Sequence, residues 1–165
     1  MSIADGFIME LEQESAATRR VMERLPEDRL SWKPHPKSMS LGQLALHTAR
    51  IPGNIANMLS ADITEGPKGE QAEAKSRAEV LDALTASVTE GTARLKSWDD
   101  AQMMATWTFT MGGRTIMSAP RVGMVRMIMF NHLYHHRGQL QVYLRLLDVP
   151  VPSVYGPTAD ENPFA

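Results

Sequence analysis

The sequence has 165 residues, a length that predicts a single domain spanning residues 1–165. Hydrophobic residues make up 43% of it and charged residues 22%, which is typical of globular proteins and excludes an intrinsically disordered chain. A net charge of −2 disfavours nucleic-acid binding, and no apolar run approaches the roughly 20 residues that a membrane span requires.

Four helices are predicted, the first two in the N-terminal third of the chain. Apolar residues at spacings of three and four predict the first helix from about Ala4 to Leu25, and Pro26 ends it. The second helix begins at Ser40, which forms a capping-box pattern with Gln43. Pro52 lies within its apolar pattern, so we expect the helix to kink or to break and resume there.

The third and fourth helices follow a predicted loop from Ala61 to Lys75. The third begins with a second capping-box pattern, Ser76 with Glu79, and ends near Trp98. The fourth runs from about Pro120 to Asp148, since proline is favourable at the first helical position. Gly138 within it costs about 1 kcal/mol relative to alanine, which indicates that another helix approaches closely.

A β-hairpin is predicted between the third and fourth helices. Threonines alternate with large apolar residues from Thr106 to Met111, the period of a strand with one buried face. The pair Gly112-Gly113 is a turn signal, and a second strand follows from Arg114 to Met117. Because an isolated hairpin is only marginally stable, we expect Trp107 and Phe109 to pack against the helices.

No cysteine is present. This excludes disulfides, a thiolate nucleophile from the chain, and cysteine-ligated zinc or iron–sulfur sites. A bound metal would therefore need histidine or carboxylate ligands, and thiol chemistry would need an external thiol. The familiar nucleotide-binding and hydrolase motifs GxxxxGK[ST], GxGxxG, GxSxG and HExxH are also missing. The acidic, polar N-terminus has no signal-peptide pattern, so we expect a cytoplasmic protein.

Two histidines lie on the face of the fourth helix that is expected to line the core. The residues of this face recur at spacings of three and four: Val125, Met129, His132, His136, Leu140, Tyr143 and Leu147. His132 and His136 are one turn apart, a spacing that suits two ligands of one metal ion. On the second helix, His47 lies among apolar residues at the same spacings of three and four. The pattern predicts a three-histidine site with an open coordination position.

Other interpretations of these residues stay open. A single inward-facing histidine is more often a hydrogen-bonded core residue than a ligand, and an i, i+4 pair alone favours neither reading. His35, between two prolines, is predicted to be an exposed loop residue. His135, Arg137 and Gln139 are candidates to support the ligands or to bind substrate, although a surface position at a helix interface is the simpler interpretation of Arg137. Imidazole ligands favour zinc, nickel, iron(II) or copper over magnesium or calcium.

Two segments of the sequence resemble a known family. The segment NHLYHHRGQLQVYLRLLDVPVPSVYGPTADE, Asn131 to Glu161, resembles the C-terminal signature of the DinB/YfiT-like metalloenzyme family. Ser31 to Pro34 and Ser38 to His47 resemble the region around that family's first histidine. The resemblance implies an all-α fold, a four-helix bundle with a long crossover connection and the small hairpin inserted before the last helix.

The resemblance also implies a homodimer and a site for a divalent transition metal. Its ligands would be His47, His132 and His136, with nickel or zinc as the metals and iron in some relatives. Family members of known activity often transfer a low-molecular-weight thiol or catalyse thiol-dependent isomerisation.

Three hypotheses for the function follow. The first is a metal-dependent enzyme that transfers a low-molecular-weight thiol to an electrophilic small molecule. The second is a metal-dependent hydrolase, which needs a general base near the metal; the sequence does not place this base, and Glu10, Glu12 and Glu14 on the first helix are its candidates. The third is a protein without catalytic activity, in which the site is structural or binds a metal or small ligand in a stress response. The sequence identifies no catalytic residue.

Overall fold

The computed structural model describes residues 1–66 and 71–164. Its elements in chain order are α1 (Ile3–Met22), a 3₁₀ turn (Glu27–Arg29), α2 (Leu41–Met58), β1 (Ile63–Glu65), α3 (Arg77–Lys96), α4 (Asp100–Met104), β2 (Thr106–Met111), β3 (Arg114–Pro120), α5 (Arg121–Met124), a π-helical segment (Val125–Phe130) and α6 (Asn131–Leu146). The chain is mostly helical with a small sheet. Part of the predicted loop from Ala61 to Lys75, residues 67–70, lies outside the described residues.

Polar side chains cap the starts of α2 and α3. Ser40 Oγ accepts from the amide of Gln43, and Gln43 Oε1 accepts from the amide of Ser40, both at 3.0 Å, which confirms the predicted capping box. At the start of α3, Ser76 Oγ accepts from the amide of Glu79 as predicted. The carboxylate of Glu79, however, accepts from the amide of Lys75, so only half of the second predicted box forms.

Helix α2 passes through Pro52 without a break, so the interruption that the sequence allowed does not occur. The amide of Gly53 donates to Ser87 Oγ on α3 at 2.8 Å. A Cβ at Gly53 would lie 3.0 Å from the carbonyl oxygen of Ser87, and a Cβ at Gly91 would lie 3.3 Å from the backbone of Pro52. Helices α2 and α3 therefore pack with their backbones in close approach around this proline.

The sheet contains one strand more than the sequence predicted. Strands β2 and β3 form the expected antiparallel hairpin, and Gly112 and Gly113 adopt φ values of 57° and 74° in its turn. Strand β1, within the segment predicted as loop, pairs in parallel with β2. Trp107 is fully buried, and its indole N–H donates to the carbonyl of Met58, so the sheet is anchored to the end of α2.

Two further elements after α3 were not predicted. Helix α4 begins with a capping box of Asp99 and Gln102, a sequence signal that was overlooked. The predicted fourth helix consists of α5, the π-helical segment and α6. The interior π-helical turn was not predicted from the periodicity.

The long helices pack so that α6 lies against both α1 and α2, and α3 also lies against both. Buried apolar residues between them form the core. Helix α6 thus has one face toward α2, which carries His47, and another toward α1. No helix in the described part of the chain has the length and apolarity to cross a membrane.

Candidate metal centre

Helices α2 and α6 bring His47, His132 and His136 together. The Nε2 atoms of His47 and His132 are 3.2 Å apart, and one ligand nitrogen from each of the three rings lies within 4.8 Å of the other two. Packing beyond the histidines holds the two helices in place. Tyr143, two turns after His136, donates through its hydroxyl to the carbonyl of Met39, just before α2 begins. The proximity of the three ring nitrogens confirms the convergence predicted from the spacing.

The geometry and chemistry of this cluster fit a transition-metal ion. Two nitrogens bound to a tetrahedral ion at 2.0–2.1 Å are about 3.3 Å apart, close to the separation of the His47 and His132 nitrogens. No carboxylate oxygen of the described residues joins the three nitrogens as a fourth member of the group. His136 is only 9% exposed, while His47 and His132 are half-buried, so the cluster lies at the edge of the core.

Groups outside the cluster act on each of the three imidazoles. Nδ1 of His136 is 2.7 Å from Oε1 of Gln139, which directs the other ring nitrogen toward the cluster. The backbone of Ile128 raises the pKa of His132, and the side chain of Gln71 raises that of His47, each against the larger effect of burial. A hydrogen-bonded partner such as Gln139 fixes the tautomer and the orientation of a histidine ligand. Gln139 was predicted to support the ligands, whereas Ile128 and Gln71 were not found from the sequence.

The environment keeps the histidines neutral. Burial is the main cause that lowers the pKa of each ring, and for His136 the pKa falls from 6.5 to about 4. The neighbouring imidazoles lower the pKa values of His132 and His136 further, because two charged rings would repel each other. Only neutral imidazole binds a metal ion, so at neutral pH all three rings are in the state that ligation requires.

Comparison with known proteins identifies the family. The sequence profile of the DinB family matches residues 1–162, which is almost the whole chain. The chain belongs to the DinB family. This confirms the resemblance found in the sequence. Membership, together with the histidine cluster, fits a metal-binding protein.

Individual relatives match this DinB chain over most of its length, and two solved structures share its fold. The uncharacterised protein YrdA of Bacillus subtilis is 26% identical over 159 residues, covering 95% of this chain and 90% of YrdA. The crystal structure of a DinB-like protein from Bacillus cereus is 25% identical, with a TM-score of 0.72 over 92% of this chain and 97% of that one. The DinB-like protein YjoA of Bacillus subtilis, 17% identical, shares the fold with a TM-score of 0.69 over 95% and 99% of the two chains.

The two other histidines of the DinB chain lie apart from the three ligand nitrogens. His135 is exposed and contributes no nitrogen to the group, but its ring contacts that of His136 with 4.9 Å between centroids. This position suits a residue at the mouth of the site. His35 is exposed in the loop before α2, as predicted.

Arg137 is deeply buried, so its interpretation as a surface arginine is wrong. Its side chain is 2% exposed, and Nη1 donates to the carboxylate of Glu14 at 2.7 Å. The hydroxyl of Tyr155, from the C-terminal tail, also bonds to both groups. Arg137 therefore ties α6 to α1, on a different side of α6 from the histidines that meet His47.

The glutamates of α1 lie outside the group of three histidine nitrogens. Glu10 accepts hydrogen bonds from Arg126 and from the hydroxyl of Tyr134, and the Arg126 guanidinium is the main cause that lowers the pKa of this carboxyl. Glu14 is bound to Arg137 as described, and Glu12 is exposed. None of the three carboxylates is a member of the histidine group, so helix α1 supplies no ligand atom to it.

Proposed function

We propose that this DinB protein is a metal-dependent enzyme that transfers a low-molecular-weight thiol to an electrophilic small molecule. The observation that carries the proposal is the convergence of three neutral imidazoles, with no fourth ligand from the described residues. Structural metal sites usually have four protein ligands, whereas catalytic sites keep a position for water or substrate. His47, His132 and His136 would hold the ion, with nickel or zinc as the expected metals and iron as a further candidate.

The chemistry that such an ion supplies is deprotonation of a bound thiol at neutral pH, which produces the nucleophile. The residues of the chain contribute binding and orientation. Gln139 holds the His136 ring, and burial keeps the histidines uncharged so that protons do not compete for the ligand nitrogens. Because the chain has no cysteine, the thiol is a second substrate from solution. His135, exposed beside His136, is placed to contact a substrate that enters there.

A conjugation assay tests the activity. Metal-free protein and protein loaded with zinc, nickel or iron(II) are mixed with cysteine, glutathione or coenzyme A and 1-chloro-2,4-dinitrobenzene. We expect a conjugation rate that requires both the metal and His132, with His132→Ala as the inactive variant and His35→Ala as the matched control. No metal-dependent rate with any thiol would contradict thiol transfer. Turnover of esters or amides instead would favour the hydrolase, and metal binding without turnover would favour a non-catalytic role.

We further propose that the long helices α1, α2, α3 and α6 form a four-helix bundle and that two copies associate through α6. A Cβ at Gly138 would meet no atom within 4 Å, so the close approach that this glycine predicts is not made within the described chain. Val142 and Leu146 are more than half exposed on the same helix. Light scattering should give the mass of a dimer, and Leu146→Lys should lower it; a monomeric wild-type protein would contradict the proposal. The cytoplasmic location stays a prediction.

A further inference from the structure

Helix α2 contains a single residue that is charged at neutral pH, Arg50, and this residue lies one turn after His47. Residues three apart on a helix have Cβ atoms about 5–6 Å apart and lie on neighbouring parts of one face. Arg50 is exposed and His47 is half-buried, so both side chains are on the edge of α2 that solvent reaches. A positive charge therefore lies beside the candidate metal centre, on one of the two helices that form it.

Arg50 has no acidic partner in the described part of the chain, unlike the arginines on the helical stretch that carries the other two histidines. Each arginine of the π-helical segment and α6 forms an ion pair with a carboxylate: Arg126 with Glu10, Arg137 with Glu14, and Arg145 with Asp160. The side chain of Arg50 forms neither an ion pair nor a hydrogen bond within residues 1–66 and 71–164. Because a guanidinium presents a planar fork of N–H donors that matches a carboxylate, Arg50 is available to an acidic group from solution.

A cleft beside Arg50 has room for part of a small molecule. It lies between α2 and α3, has a volume of about 300 Å³, and is lined on the α2 side by Arg50 and Asn54. Its α3 side is lined by small side chains, which include Ala83 and Ala86. Glu90 also lines the cleft, but its carboxylate accepts from Nε of Arg94 at 2.9 Å and is therefore already paired. The cleft thus offers a ligand the guanidinium of Arg50 and the amide of Asn54.

We propose that Arg50 binds a carboxylate of the thiol substrate, so that the protein prefers thiols that carry an acidic group a few bonds from the sulfur. The sulfur is bound at the histidine centre, and Arg50, one turn along α2 from His47, holds the acidic end. A single unpaired guanidinium matches one negative charge, which favours a carboxylate over a phosphate dianion. The inference rests on the proposed function, because it requires that a thiol binds at the metal, and it assigns Arg50 as a residue that determines specificity.

A matched pair of thiols tests the proposal. N-acetylcysteine and N-acetylcysteine amide differ only in the carboxylate, and isothermal titration calorimetry measures the binding of each to zinc-loaded protein without any turnover. The dissociation constant of the amide divided by that of the acid gives the acid preference. Comparing this ratio between protein variants removes the difference in the intrinsic affinity of the two thiols for zinc. We expect Arg50→Gln to lower the ratio about fivefold relative to the wild type, the upper range for an exposed ion pair.

The matched control is Arg19→Gln, with circular dichroism to check the folding of every variant. Arg19 lines a cleft of nearly the same size, about 310 Å³, between α1 and α3, and donates to the hydroxyl of Thr85 there. No histidine lines that cleft, so Arg19→Gln should keep the wild-type ratio. Arg50→Lys retains the charge but not the planar fork and should give an intermediate ratio.

The outcomes separate this inference from the proposed function. If both thiols bind and Arg50→Gln keeps the wild-type ratio, the assignment of Arg50 is overturned and thiol binding stands. If neither thiol binds to zinc-loaded wild-type protein, the proposed transferase itself is contradicted, and the role of Arg50 with it. A measurement on the wild type decides the case in which the Arg50 variants do not fold: added salt screens an exposed ion pair and should lower the ratio, and a ratio independent of salt would overturn the proposal.

Discussion

The Nε2 atoms of His47 and His132 lie 3.2 Å apart, although 85 residues separate the two histidines along the chain. Neither local sequence nor a hydrogen bond alone produces this contact. The packing of α2 against α6 sets it, and the burial of that interface pays the free energy of holding three uncharged imidazoles together. The candidate site is therefore assembled by the packing of two helices that are distant in the sequence.

Gln139 should control metal affinity without contacting the metal. Gln139→Met removes the acceptor for Nδ1 of His136, so the ring loses its fixed orientation and the dissociation constant for zinc should rise about 10- to 100-fold. Gln139→Glu retains an acceptor at the same position and should bind zinc at least as tightly as the wild-type protein does. Competition titration measures both constants. Equal loss in the two variants would show that the hydrogen bond is not the cause.

Arg137 should be important for stability and not for metal binding. Arg137→Met leaves the carboxylate of Glu14 buried without its cation, which should destabilise the protein by about 3 kcal/mol or more. The control is Arg145→Met, because Arg145 is 49% exposed and solvent screens its pair with Asp160, so this variant should lose much less stability. Urea unfolding measures both changes. Similar values for the two variants, or loss of zinc stoichiometry in folded Arg137→Met, would contradict this account.

Two glycines should respond in opposite ways to alanine. Gly53→Ala places a Cβ 3.0 Å from the backbone of Ser87, so α2 and α3 must separate. The free energy of unfolding should decrease by about 1–3 kcal/mol. The Cβ that Gly138→Ala adds lies within 4 Å of no atom of the described chain. The higher helix propensity of alanine should raise the free energy of unfolding by up to about 1 kcal/mol. Thermal unfolding of both variants gives the signs. If Gly138→Ala instead destabilises the protein and lowers its mass in solution, the dimer contact lies at this glycine.

The stability of the metal-free protein should fall as the pH is lowered below about 6.5. The folded state lowers the pKa of all three histidines, so the unfolded chain binds more protons in the range between 6.5 and about 4, where the folded His136 begins to protonate. Unfolding free energy therefore decreases with decreasing pH in this window. Urea titrations near pH 7, 6 and 5 check the slope. His136→Gln should flatten it, and an unchanged slope in that variant would refute the assignment.

The long helices and the three candidate ligand positions could be predicted because their signals are local and repeated. Apolar spacing of three and four residues, the Ser40 capping box and the i, i+4 histidines each depend only on nearby sequence. The hairpin was predictable from alternation and its Gly-Gly turn. The sequence placed His47 on the inward face of α2, and the packing of α2 against α6 then determined which side chains it contacts.

The elements that escaped prediction depend on distant partners or on small departures from the regular period. Strand β1 has three residues, and its pairing with β2 is set by tertiary structure. Arg137 looked like a surface residue because its partner, Glu14, lies on α1 and is found only after folding. In the π-helical segment the backbone hydrogen bonds span five residues instead of four. The four-residue spacing of Val125 and Met129 still fits an α-helical face, so the apolar pattern gave no sign of the π-helical segment.

The measurement that tests the central claim most directly is the metal content of the protein purified without an affinity tag, determined by elemental mass spectrometry. The wild-type protein is compared with His47→Ala and His132→Ala, and with His35→Ala as the control. The account predicts about one divalent transition-metal ion per chain in the wild type and in His35→Ala, and its loss in the other two variants. A wild-type protein that contains no such metal and cannot be loaded with zinc, nickel or iron(II) would contradict it.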